Sequence, residues 1–233
     1  MSKKDYEHSL LTAAEDGDLQ AMQDIILVAA DSVDLNCKDG FGNTPLILAA
    51  ERPDNTAMIK LLLDSGAAIN ATNDLRRSAL IEAASIGDMP NVALLLQYNP
   101  DSGVVTSEQE TALTFAVVNE YAAVVKALLG VGADVNWRDP NGWMPLTYAV
   151  YSRNPEIVRI LIEVGADPHA TDINGDTILI HAVRSGSIEV VREILKEKPE
   201  VDHVGNEGLT ALQHAERNGF EEISQLLRES TAP

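Results

Sequence analysis

The residues able to do chemistry in this chain are few. Its five histidines are His8, His169, His181, His203 and His214, and Cys37 is its single cysteine. Imidazole pairs bind zinc or copper. His181 and His214 lie 33 residues apart, which makes them candidates for a shared ligand site, but no third ligand recurs with them. Carboxylates are abundant, yet none stands beside a nucleophile in a recognisable motif. The chain has no GxGxxG, no P-loop, no GxSxG, no HExxH and no cysteine cluster. The residue types therefore point away from catalysis and from a bound cofactor.

Aromatic residues are the other distinctive chemistry. Six of the chain's ten aromatics fall between positions 115 and 151: Phe115, Tyr121, Trp137, Trp143, Tyr148 and Tyr151. Large rings, with arginine, dominate protein interfaces and account for most of their hot spots. Phe115, Tyr148, His181 and His214 stand at matching points of a repeated pattern, so the spacing predicts a ladder of rings.

That pattern has a period of about 33 residues. Thr44, Ser78, Thr111, Met144, Thr177 and Thr210 follow one another at intervals of 34, 33, 33, 33 and 33, and a leucine stands two residues after each: Leu46, Leu80, Leu113, Leu146, Leu179 and Leu212. Such self-similarity marks a stacked array rather than a closed globule. Thr44 is placed to cap a helix that has Pro45 at its first position, and Gly66 is placed to end the following helix in a left-handed turn.

Several stretches then repeat in register. They include Thr44-Pro45-Leu46-Ile47-Leu48-Ala49, Thr111-Ala112-Leu113-Thr114-Phe115-Ala116 and Thr210-Ala211-Leu212-Gln213-His214-Ala215, with Gly132-Ala133-Asp134-Val135-Asn136 and Gly165-Ala166-Asp167 closing units. This resembles the ankyrin repeat, over about residues 5–229. The family's TPLH histidine is replaced throughout, by Ile47, Ile81, Thr114, Thr147, Ile180 and Gln213. The resemblance implies an all-α solenoid of helix-turn-helix units with β-hairpin-like fingers. Its expected divisions are a degenerate N-terminal cap over 1–38, repeats over 39–72, 73–105, 106–138, 139–171 and 172–204, and a C-terminal cap with a tail over 205–233. Arg76, Gln109 and Glu120 occupy sites where glycine is usual, and Pro53 is read as replacing the glycine between two helices. A wide loop is expected around 28–34.

The resemblance also implies a function: non-catalytic binding of a partner protein, as scaffold or adaptor, on the concave surface built from hairpin tips and first helices. On that map Trp143, Tyr148 and Tyr151 form the anchor, Phe115 and His181 its edges, and Trp137 and Arg138 the hairpin arm. Phe41, Leu75, Arg76 and Arg77 make a second cluster, whose two arginines could meet an acidic part of a partner. Inhibition of a partner enzyme is an alternative role, and a small ligand or metal on the Phe115–His181–His214 ladder is another. Asn36, Asn70 and Asn136 stand at a site that is hydroxylated in some ankyrin proteins.

Formal net charge is −19, with 36 acidic and 17 basic residues. Such a field disfavours nucleic acid and anionic membrane, whose phosphates need cations, and steers basic partners inward. One cysteine allows no intrachain disulfide. The N-terminus lacks an apolar leader and no run reaches 18 apolar residues. A reducing, cytoplasm-like compartment and a monomer fit these features, with nuclear residence and delivery into a host cell left open.

Overall fold

The computed structural model describes residues 2–29 and 33–230, and among them the regular structure is α-helical, with isolated β-bridges only at Thr72–Ser78 and Thr171–Thr177. The centre of the loop expected around 28–34, residues 30–32, and the tail residues 231–233 lie outside that description. The helices fall into two compact units.

The first unit contains α1 (Lys3–Asp16), α2 (Leu19–Ala29), α3 (Pro45–Ala50), α4 (Thr56–Asp64), α5 (Ala79–Ile86), α6 (Met89–Gln97) and α7 (Ala112–Val118). Within it α1, α3, α5 and α7 pack side by side as first helices, each of α1, α3 and α5 backed by the helix that follows it. The approach is allowed by paired small residues. Ala13 and Ala14, Ala49 and Ala50, and Ala83 and Ala84 are all buried. Met22, Met58, Ile59, Leu62, Val92 and Leu95 fill the second layer with no exposed surface.

The second unit contains α8 (Ala122–Gly130), α9 (Pro145–Tyr151), α10 (Pro155–Glu163), α11 (Ile178–Ser185), α12 (Ile188–Leu195), α13 (Ala211–Arg217) and α14 (Glu221–Ser230), with residues 130–133 assigned to the first unit. Here α9, α11 and α13 are the first-helix row, and α10, α12 and α14 stand behind it. Ala149–Val150 and Ala182–Val183 are buried, whereas Ala215 is followed by the exposed Glu216, a polar outer surface on the last pair.

The repeated hydroxyl residues explain why the first helices begin where they do. Thr44, Ser78, Thr111, Thr177 and Thr210 each accept the amide of the residue three further on, at 3.2–3.4 Å. Each such cap supplies about 1 kcal/mol. Met144 has no oxygen to offer. There the roles reverse, and Thr147 Oγ1 accepts the Met144 amide at 3.3 Å.

Hairpin tips are shaped by side-chain carbonyls at their base. Asp39, Asn73, Asp139 and Asp172 each accept two amides of their own tip through one oxygen. Neighbouring tips are then stitched by backbone bonds: Asp74 N to Phe41 O, Ser107 N to Leu75 O, and Ile173 N to Asn141 O. Gly142 is required at its tip, since it has φ +77 and an added Cβ would lie 2.9 Å from Ile173 N.

One expectation is corrected. Pro53 does not take the glycine role between α3 and α4. Proline cannot adopt a positive φ, and the left-handed residue is Asp54 (φ 59). Arg76, Gln109 and Glu120 do hold the left-handed conformation, at φ 59, 64 and 63.

Candidate functional site

In the second unit, four of the residues singled out from the sequence meet. Trp143 leaves the hairpin tip after Gly142, while Tyr148 and Tyr151 rise from α9 and His181 from α11. Trp143 stacks on Tyr151, with ring centroids 4.9 Å apart and planes 11° from parallel. Tyr148 and His181 present their edges to Trp143 at 5.5 and 5.7 Å. Offset stacks and edge contacts are the arrangements the ring quadrupole favours.

Hydrogen bonds hold the Trp143 backbone and the two tyrosine hydroxyls. The Trp143 amide donates to Asp139 Oδ1 at 2.8 Å, and the Tyr148 hydroxyl donates to Asp139 Oδ2 at 2.8 Å. The Tyr151 hydroxyl lies 3.0 Å from His181 Nδ1. His181 Nε2 faces Asp172 Oδ2 at 3.3 Å, close enough for an ion pair but off the line of a formed hydrogen bond. Burial holds the His181 imidazole below its ordinary value, against the pull of Asp172 and Asp176. With the ring neutral and its proton on Nε2, the side that faces Asp172, Nδ1 accepts from the Tyr151 hydroxyl. Burial likewise raises Tyr151, which keeps its hydroxyl protonated as the donor.

Three residues not singled out from the sequence complete this layer. Arg184 Nη1 donates to Asp176 Oδ2 at 2.6 Å, and its Nη2 lies 3.2 Å from Glu207 and 3.3 Å from His214 Nε2. Burial alone would raise Asp176, but the Asn206 amide and Arg184 outweigh it and hold the carboxyl below its usual range. The available signal was positional: Arg184 occupies in α11 the place Tyr151 occupies in α9.

Exposure sorts the candidates. Tyr151 is 38% exposed, and Trp143 and Tyr148 are half-buried. His181, expected at the edge of a contact surface, is instead 2% exposed and supports the rings from below, because α11 packs directly against α9. The hairpin arm is structural in part: Arg138 Nη1 donates to the carbonyls of Gly142 and Thr171 at 3.1 and 2.8 Å, bracing two hairpins, while Trp137 is half-buried. Of the ladder, Tyr148, His181 and His214 belong to the second unit and Phe115 to the first. His214, also 2% exposed, meets the Arg184 cation rather than an open ligand position. Among the described residues no group of three or more His, Cys, Asp or Glu is placed to hold a metal.

The second candidate cluster lies in the first unit. Phe41 is 76% exposed and Leu75 59%, on adjacent stitched tips. Arg77 is not available to a partner's carboxylate. Its fork closes on Glu82 through two bonds of 2.6 Å, and its guanidinium lies 4.6 Å above the Phe115 ring. Arg76 is exposed at its tip. The expectation that both arginines face an acidic partner is therefore corrected for Arg77.

Asn36, Asn70 and Asn136 have structural duties. Their side-chain oxygens accept the amides of Ala68, Asp101 and Asp167 at 2.7–3.0 Å, tying consecutive loops together.

A family model described as "Ankyrin repeats (3 copies)" matches residues 10–105, 80–172 and 165–232. Among curated proteins, the chain is 31% identical over 107 residues to "Ankyrin repeat domain-containing protein 63" of Mus musculus, covering 45% of this chain and 27% of that protein. It is 29% identical over 147 residues to "Putative ankyrin repeat protein YahD" of Escherichia coli (strain K12), covering 63% of this chain and 71% of that protein. Human "Neurogenic locus notch homolog protein 1" is 35% identical over 106 residues, 46% of this chain and 4% of its own length. The matched part is thus about a quarter of the mouse relative. Among solved structures, the human ASB11 ankyrin repeat domain superposes with a TM-score of 0.81 at 23% identity, covering 96% of this chain and 98% of that one.

Proposed function

The chain belongs to the ankyrin-repeat family, whose members are generally protein–protein interaction modules, and on that premise we propose that it is a non-catalytic binding module with its partner docked over the Trp143–Tyr151 stack. The observation that carries this is the stack itself. Two large rings, one from a hairpin tip and one from a first helix, are locked face to face by Asp139 and His181 while part of their surface stays open. Rigid amphipathic rings lose little conformational entropy on binding, which is why they make good anchors. Tyr148 supports the stack from α9, His181 from below, and Arg138 sets the hairpin that carries Trp143. Ile173, 69% exposed on the adjoining tip, extends the apolar surface.

In this reading the contact face is the row of first helices and tips, the concave side in ankyrin arrays. Residues 1–38 and 205–233 cap five repeats. The net charge of −19 favours a basic partner by steering its approach. Scaffold and inhibitor differ only in what happens to the bound partner, so an activity assay on that partner separates them. The metal alternative is disfavoured because the Arg184 cation stands against His214 and the Tyr151 hydroxyl already occupies His181 Nδ1. No helix is long and apolar enough to cross a membrane, among the described residues.

The test is affinity capture from the native lysate with the wild-type chain beside a Trp143→Ala/Tyr151→Ala variant, both checked for helicity. Retention of a protein by the wild type and its loss from the folded variant is the expected result. Equal retention by both would remove the stack from the interface.

A further inference from the structure

The first unit carries a second surface of different chemistry. A groove of about 550 Å³ is lined by the exposed Phe41 and Leu75 on adjacent tips, by Glu51 and Asp74, and by the Arg77–Glu82 pair. The sequence places two arginines here and invites an acidic partner. In the structure Arg76 stays exposed at its tip outside the groove lining, and only Arg77 lines it. Arg77 donates to Glu82 through Nε and Nη2 and is covered on one face by Phe115. The other charged residues lining the groove are Glu51 and Asp74.

Glu51 lies in strained electrostatic surroundings. Partial burial raises its carboxyl, and Glu82, Asp39 and Glu15 raise it further while Arg77 opposes them. A cation delivered into the groove would relieve that repulsion. Apolar walls would shield the new ion pair from water, which strengthens it. The walls themselves are an unusual feature for solvent: a phenylalanine and a leucine, each more than half exposed, side by side on stitched hairpins.

We propose that the Phe41–Leu75–Glu51 groove is a docking site for a basic-apolar peptide segment, one lysine or arginine reaching Glu51 and Asp74 while a flanking large apolar side chain packs on Phe41 and Leu75. This rests on the protein-binding reading of the family but not on the Trp143 cluster, which belongs to the other unit.

The experiment is a display selection of random dodecapeptides on the full-length chain, followed by titration of the enriched peptides against variants. Enriched sequences pair a basic with a large apolar residue. Their binding falls by about tenfold or more in Phe41→Ala/Leu75→Ala and in the shape-conserving Glu51→Gln. It is unchanged in Trp143→Ala/Tyr151→Ala and in Asp202→Asn, an exposed acid of the other unit that controls for general attraction to a −19 protein. The substituted groove positions reach solvent, so the variants keep their fold, which circular dichroism checks. Enrichment of sequences without basic residues, indifference to the Phe41 and Leu75 truncations, an equal effect of Asp202→Asn, or no enrichment at all would overturn the proposal. Loss only in the Trp143→Ala/Tyr151→Ala variant would overturn it too, while leaving the other face standing.

Discussion

At the scale of single residues, the notable device is the line Asp172–His181–Tyr151 beneath Trp143. A neutral His181 with its proton on Nε2 accepts from Tyr151 at Nδ1; a protonated one donates there instead, so the bond reverses and the hydroxyl hydrogen must turn away. Burial and Arg184 oppose the charge, while Asp172 and Asp176 favour it, with the net effect a lowered value. The folded chain thus binds fewer protons than the unfolded chain just below the ordinary imidazole value. Stability present above about pH 6.5 is lost as pH falls from there through the folded value. His214, lowered by burial and by Arg184, adds in the same direction. Thermal midpoints measured from pH 7.5 downward should therefore fall, and Trp143 fluorescence should change with them. His181→Gln should remove the fluorescence change and leave only the His214 part of the midpoint shift. A fluorescence profile that His181→Gln does not alter would contradict this. Spacing made part of this cluster legible, because Tyr148 and His181 sit 33 residues apart, and Trp143 and Tyr151 fall at the hairpin tip and the first-helix end of the same repeat. It left Asp172, Asp176 and Arg184 unread, since which carboxylate a buried ring faces depends on side-chain direction across two elements. For the same reason it offered Arg77 to a partner when Glu82, five residues on, had already taken it.

At the scale of elements, the turn between first and second helix repeats one backbone shape with different residues. Gly87, Gly186 and Gly219 hold it at φ 70–75, whereas Asp54, Glu120 and Arg153 hold it at φ 57–63. A side chain there costs about 1–2 kcal/mol, partly offset because glycine loses more freedom on folding. Arg153→Gly is expected to raise stability by up to about 1 kcal/mol. Gly186→Ala is expected to lower it by more than that, since the new Cβ also lies 3.1 Å from the Phe220 ring. Denaturant titration of both variants checks the pair, and opposite signs are the required result. The caps were legible because threonine or serine recurs at one position. The turn after α3 was not, because one added residue lets either Pro53 or Asp54 be aligned with glycine. Only the fixed φ of proline decides between them.

At the scale of the whole molecule, a periodic sequence announces its fold and says little of its partner. Every turn of the 33-residue pattern reports burial, capping and stacking, demands common to any ankyrin array. We propose that binding uses positions where large rings and apolar chains reach solvent: Trp143, Tyr151, Ile173, Phe41 and Leu75. In that proposal the acidic excess would act on all of them together, through the rate of encounter rather than the strength of any one contact. The measurement that tests this account most directly is a kinetic binding experiment. The captured partner would be titrated against the wild type and the Trp143→Ala/Tyr151→Ala variant at low and moderate salt. The account predicts dissociation at least about tenfold faster in the variant, and association slowed by salt equally in both. Unchanged dissociation from a folded variant would contradict the stack as the anchor, and association indifferent to salt would contradict the role given to charge.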